Sequence, residues 1–247
     1  RRPDAVTTLP DGKLWLKQFG SGFFLSRAGL VMTCEHVRRA ARKFQQTHGG
    51  VLVVCPYDGQ EEPVSLLHAL EAEVLAHTDF AGDGDEPNPQ PVPEVSVSRT
   101  DYAFTMGGVI DAAVLRVPRE LVSGTPFIGD IPVLQLDDAP LRPTQVIFAL
   151  GFPVGNEFGR TPTSSGGRNA GRVRDSSGPW IKYEGTISGG HSGGPTVTAD
   201  GMAVGWNCRN ARLGRGVSGI NHVRPIEAAR PCIEAALKHP SVQPAEL

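Results

Sequence analysis

Cysteine is scarce in this sequence: Cys34, Cys55, Cys208 and Cys232 stand far apart, and no two form a CxxC pair. That spacing excludes the common zinc-ligand pattern and a dense disulfide framework. Four mostly buried thiols in a reducing compartment are the expectation, with disulfides reserved for an exported chain. Long apolar runs are also missing. No stretch of about 18 apolar residues occurs, and the opening "RRPDAVTTLPDGKLW" lacks the apolar segment of a secretory signal. A membrane-spanning helix is therefore not predicted. Nor does one sign of charge dominate: 24 Lys and Arg oppose 26 Asp and Glu, so no global field recruits nucleic acid or an anionic membrane. The chain opens at Arg1 rather than methionine, which admits a processed product, a trimmed piece or a domain of something longer.

What is present is β punctuation. Short runs of Val, Leu, Ile and Phe, among them "GFFLS", "LVMTC", "VLVVC", "AAVLRV", "VIFAL" and "MAVGW", alternate with Gly, Pro and Asp clusters, the pattern of an all-β protein. A length of 247 residues accommodates one large domain or two packed halves. "GFFLSRAGLVMTC" reads as a hairpin turning at Arg27-Ala28-Gly29. Helical periodicity is convincing only near the C-terminus, over about 226–238, where Ile226, Ala229, Ile233 and Leu237 share a face and Pro231 kinks the helix or starts its second half. Residues 78–107 are crowded with acids, glycines and prolines and read as a surface insertion. A second loop is expected over 155–178, carrying Arg160, Arg168, Arg172 and Arg174. The boundary between halves falls in 117–132, which divides the chain into 1–120 and 121–247.

Three stretches carry chemistry. "TISGGHSGGPT" surrounds Ser192 with Gly189, Gly190, Gly193 and Gly194. A serine hydroxyl is a weak nucleophile that needs a general base and donors for the oxyanion formed on attack. Glycines let the amides of Gly190 and Ser192 point at one oxygen. "GLVMTCEHV" places His36 just after the predicted hairpin. "VIDAAVLRV" sets Asp111 against an apolar strand, where an acid is costly unless hydrogen-bonded, for example by an imidazole N–H.

Together these stretches resemble the trypsin-like serine peptidases, and more closely their bacterial Do/HtrA-like branch, over roughly residues 14–235. "GSGFFLS" with "TCEHV" is similar to the family's G-S-G-F and T-x-x-H-V, "DAAVLRV" to D-x-A-x-L-x-V, and "GGHSGGP" to G-[DN]-S-G-G-P. The segment "VIFALGFPVG" resembles the family's G-x-P-x-G. The chain order His, Asp, Ser matches that family and not the α/β-hydrolases or subtilisins. The resemblance implies two six-stranded antiparallel β-barrels with a C-terminal helix, His36 as base and Asp111 as its orienting acid from the first barrel, and Ser192 with a Gly190/Ser192 oxyanion hole from the second. It implies a serine endopeptidase that uses no cofactor or metal and acts on a protein or peptide. A catalytically silent barrel used as a binding or regulatory module and, behind it, a serine esterase stand as alternatives. Asp79 and Asp101 are weaker rivals for the acid.

Departures from the family set further expectations. His191 stands where digestive relatives carry an Asp that pairs with a new N-terminus, so activation through that ion pair is not expected. Val37 follows the histidine where secreted relatives have cysteine, which favours a cytoplasmic, bacterial-type protein while leaving export open. After Pro225 only about 22 residues remain, too few for a PDZ domain, so unless the chain is truncated peptide sensing through such a module is not expected, and fusion to or regulation by another domain or protein is left open. Thr186 stands six residues before Ser192, where an enzyme cleaving after Arg or Lys would carry Asp. An uncharged specificity pocket is expected, shaped by Thr186, Trp206 and Asn207 with Asn221 and His222; packing of Trp206 in the barrel is the alternative.

Overall fold

The computed structural model describes residues 7–8, 14–15, 19–49, 51–57, 70–78, 110–117, 131–153, 161–175, 178–209, 219–240 and 242. The first half contains strands β1 (Thr7–Thr8), β2 (Leu14–Trp15), β3 (Phe23–Phe24), β4 (Leu30–Thr33), β5 (Val53–Val54), β6 (Leu70–Glu71), β7 (Glu73–His77) and β8 (Ala113–Arg116), with helix α1 (Glu35–His48) after β4. The second half contains β9 (Val146–Gly151), β10 (Thr163–Asp175), β11 (Gly178–Glu184), β12 (Pro195–Thr198), β13 (Ala203–Arg209) and β14 (Ile220–Pro225). A 3-10 turn at Ile226–Ala229 leads into helix α2 (Arg230–Leu237).

In the first half, β3, β4, β8 and β7 lie side by side as an antiparallel sheet. The β3–β4 pair is the hairpin expected from sequence, closed by Gly29 N–H donating to Ser26 O, with Gly29 at φ 85°. Successive side chains on a strand point to opposite faces, and this sheet is apolar on both. Phe23, Met32 and Val114 face a core shared with the second half. Phe24, Val31 and Leu115 pack on the other side with Leu70, Val117 and Ile131. Burial on both faces explains why these segments read as unbroken apolar runs.

The second half is a closed barrel in the order β10-β11-β14-β13-β12-β9. Ile147, Ala149, Ile181, Tyr183, Val204 and Val223 fill it. The first half supplies part of a second barrel: the four-stranded sheet and the separate β5–β6 pair. The all-β architecture with a C-terminal helix is therefore present, and α2 carries Pro231 in its first turn, where the missing N–H costs nothing. The helix packs back onto β7 and β8, with Cys232 Sγ donating to Ala112 O at 3.8 Å.

Two expectations need correcting. The 155–178 stretch is not one long loop, because β10 occupies 13 of its residues and pairs with β9 and β11. Its polar, glycine-containing sequence suits a strand whose backbone closes a barrel while most of its side chains lie partly or fully exposed. Helicity is also not confined to the C-terminus, since α1 runs for 14 residues. Its buried face holds Glu35, Val37, Arg38 and Ala41. Two of those four are charged, which blunted the apolar periodicity. All of the 78–107 insertion after Thr78, and most of the 117–132 boundary, lie outside the described residues.

Candidate active site

Thr33 ends β4, Cys34 caps α1, and His36 stands in the first helical turn. This sequence of elements aims the ring at Asp111, which immediately precedes Ala112 and β8. His36 Nδ1 lies 2.6 Å from Asp111 Oδ2, and the His36 backbone N–H donates to Oδ1 at 2.9 Å. Both carboxylate oxygens are thus engaged by one residue. The Asp111 side chain is 1% exposed while that of His36 is 38% exposed, so the pair has a dry anchor and a working edge open to solvent. Burial pushes the Asp111 carboxyl up, but the His36 hydrogen bonds and charge, aided by the Cys34 thiol, outweigh it and leave the carboxyl below its ordinary value. Trp206 Nε1, from the second half, donates to Asp111 O at 3.0 Å.

Ser192 is the second residue of the latter of two successive tight turns. His191 N–H donates to Ser188 O at 3.1 Å and Gly194 N–H to His191 O at 2.9 Å. The third residue of each turn is a glycine at positive φ, Gly190 at 101° and Gly193 at 87°, the conformation that a side chain would penalise. A Cβ on Gly193 would also collide with Ser21 O and Thr33 Oγ1. The Ser192 turn therefore rests on the end of β4, one residue from the start of the helix that carries His36. Among the described residues, neither the Gly190 nor the Ser192 amide donates a hydrogen bond. No hydrogen bond among them joins the Ser192 side chain to His36 either.

Sequence reasoning gave Ser21 no role, yet it clasps this turn. Its N–H donates to Ser192 O at 2.7 Å, and its hydroxyl donates to Gly190 O at 2.7 Å while accepting from Phe152 N–H at 3.0 Å. Thr33 Oγ1 donates in turn to Ser21 O at 2.7 Å. The signal available was a serine between glycines in "GSGFF", a backbone built for close approach. Asn207 holds the opposite side: Gly193 N–H donates to Asn207 O and Asn207 N–H to Gly194 O, both at 2.8 Å.

The other residues singled out from sequence are dispersed. Thr186 is exposed, its N–H donating to Ser165 Oγ at 3.2 Å. Trp206 and Asn207 are fully buried, Trp206 in the core between the halves and Asn207 bonded through its side chain to Leu150 O and Thr196. These placements make them supports of the site rather than surface offered to a ligand. His191 is buried beside Gly151, with Ser188 Oγ 3.2 Å from its Nδ1; among the described residues its Nε2 has no partner, and burial lowers its pKa. Asp79 and Asp101 lie outside the described residues. Cys34 Sγ, Cys208 Sγ and an Asp111 oxygen converge within 4.8 Å, but both Asp111 oxygens already accept from His36.

Comparison with known proteins fits this geometry. A family model described as "Trypsin-like peptidase domain" matches residues 20–205. A probable periplasmic serine endoprotease, DegP-like, from Halomonas elongata is 26% identical over 214 residues, covering 86% of this chain and 34% of that protein. A protein of the same description from Rhizobium meliloti is 26% identical over 237 residues, covering 94% of this chain and 36% of its own length. The chain thus spans about a third of these relatives. The solved structure of the HtrA-type protease AlgW with a decapeptide shares the fold, at a TM-score of 0.62 and 20% identity over 94% of this chain and 55% of that one.

Proposed function

The chain belongs to the trypsin-like peptidase domain family, and from that premise we propose that it is a serine endopeptidase with Ser192 as nucleophile, His36 as general base and Asp111 as the acid that orients it. The observation that carries the reading is the 2.6 Å His36–Asp111 hydrogen bond beside the glycine-built Ser192 turn. Asp111 fixes the tautomer with hydrogen on Nδ1, leaving Nε2 free to accept the Ser192 proton as Oγ attacks the scissile carbonyl. The acyl-enzyme forms, His36 returns the proton to the leaving amine, and water repeats the sequence to release the acid. The amides of Gly190 and Ser192 receive the oxyanion, each such donor contributing about 3–4 kcal/mol to the transition state. Their lack of other acceptors among the described residues supports that role.

The substrate in this reading is a protein or peptide with an uncharged residue at the cleavage site, because Thr186 brings no carboxylate to the wall before Ser192. Of Thr186, Trp206 and Asn207, Thr186 is the one that is exposed. The division into residues 1–120 and 121–247 belongs to the same proposal and is supported by a barrel core drawn wholly from the second part, while Ile131 and Val133 of that part pack into the core of the first. The relatives are bacterial and described as periplasmic. Those descriptions favour an exported location and give no support to the cytoplasmic one expected from sequence.

A second reading, a barrel that binds peptides without cleaving them, is favoured by the lack of a described Ser192–His36 hydrogen bond, although such bonds often tighten only when substrate arrives. Incubation with a peptide library and mass spectrometry of the products separates the two. We expect new termini after uncharged residues and their disappearance in Ser192→Ala. An intact library with folded wild-type protein would establish the binding module instead.

A further inference from the structure

Cys34 and Cys208 come from opposite ends of the chain, 174 residues apart, yet their sulfurs touch at 3.4 Å in the buried seam between the halves. Cys34 Sγ also donates to Asn207 O at 3.3 Å, and Cys208 Sγ lies 3.7 Å from Asp111 O. Each cysteine adjoins a part of the candidate active site. Cys34 caps the helix on which His36 is the second residue. Cys208 follows Asn207, whose backbone holds Gly193 and Gly194 beyond Ser192. Among the described residues no other pair of sulfurs makes contact: Cys232 donates to Ala112 O at 3.8 Å, and Cys55 lies in the first half.

We propose that Cys34 and Cys208 are a disulfide-forming pair that staples the His36-bearing segment to the strand behind the Ser192 turn. Closing the bond brings the sulfurs from 3.4 Å to about 2.05 Å, a shift that two side-chain rotations can share. Two S–H bonds break and one S–S bond forms. The two electrons and two protons pass to a disulfide oxidant, such as oxidised glutathione, which leaves as two thiols.

Access sets the timing. Cys34 is 0% and Cys208 4% exposed, and burial raises both thiol pKa values, so neither presents a thiolate to an oxidant once the halves have closed. The pair oxidises as the chain folds, and the same burial then shields the bond from reductants. An oxidising compartment suits this, and so do the relatives described as periplasmic. A thiophilic metal is the competing occupant of the cluster, disfavoured because Asp111 would have to release His36.

The test does not depend on peptidase activity. The full chain is unfolded and refolded in parallel in a glutathione redox buffer and in excess reductant, alkylated under denaturing conditions, and digested without reduction. The oxidised sample should take up two alkyl groups, at Cys55 and Cys232, and yield one cross-linked species joining the Cys34 and Cys208 peptides. Its thermal midpoint should exceed that of the reduced sample by about 10 °C, a difference that Cys208→Ser removes. Alkylation of all four cysteines after oxidative refolding, or a cross-link involving Cys55 or Cys232, would overturn the proposal. So would one equivalent of tightly held zinc that is lost in Cys208→Ser.

Discussion

Ser21 shows how one small side chain can set the geometry of a candidate reaction centre it does not enter. It holds the carbonyls of Gly190 and Ser192, the two peptide groups that flank the one donating the Ser192 amide. Removing its hydroxyl leaves Gly190 O and Phe152 N–H without that partner. Ser21→Ala should lower kcat about tenfold with little change in KM, less than loss of an oxyanion donor itself because the effect is indirect. Ser21→Thr, which keeps the hydroxyl, should recover part of the loss. Equal effects on KM and kcat, or no recovery by threonine, would reduce Ser21 to packing. A second prediction at this scale concerns acid. His191 has a folded pKa below its ordinary 6.5, chiefly because burial disfavours the imidazolium. The unfolded chain therefore takes up the proton first, and stability falls as pH drops below about 6.5. Asp111, held below its ordinary 3.8, adds its own loss at more acid pH by the same sign. Urea unfolding between pH 4 and 8 should show stability highest toward neutrality, with a shallower decline below pH 6.5 in His191→Asn. A rise in stability from pH 7 to pH 5 would contradict the His191 assignment.

At the scale of elements, α1 is the instructive case. Glu35 and Arg38 are buried together, with both guanidinium–carboxylate hydrogen bonds at 2.6 Å, and Glu35 is raised above its ordinary pKa by burial in spite of Arg38. Glu35→Ala strands a buried guanidinium, and denaturant unfolding should register a loss of about 3–5 kcal/mol. Replacing both residues with apolar ones of similar size should recover most of it; a single-variant loss under about 1 kcal/mol would mean the pair is solvated. This charged inner face is also why the sequence did not announce the helix. Apolar periodicity reports an element only when apolar groups do the burying, as Phe23, Val31 and Leu115 do in the first sheet. The strand β10 escaped for a related reason: barrel closure is a backbone matter, and Arg168, Arg172 and Arg174 are tolerated along it. His36, Asp111 and Ser192 could be proposed from sequence because acyl transfer demands those residue types in recognisable settings, and the structure brings His36 and Asp111 into hydrogen-bond contact. The supporting positions of Trp206 and Asn207 arise from contacts distant in sequence, which no local pattern encodes; for Ser21 the flanking glycines were the one local signal.

At the scale of the molecule, the candidate site exists only where two halves meet. Phe23, Met32, Cys34 and Val114 from one side pack with Trp180, Trp206, Cys208 and Ile226 from the other. Helix α2 reaches back from the end of the described chain to cover β7 and β8. His36 and Asp111 are thereby presented by the first half to a Ser192 turn that the closed barrel holds, with Ser21 and Trp206 bonding across the seam. The central claim is that this seam activates Ser192. Treating the folded chain with a fluorophosphonate and mapping the adduct by mass spectrometry tests it most directly. One adduct per chain is expected, on Ser192, lost in Ser192→Ala and strongly slowed in His36→Ala. Folded wild-type protein that stays unlabelled, or that labels at another serine, would contradict it.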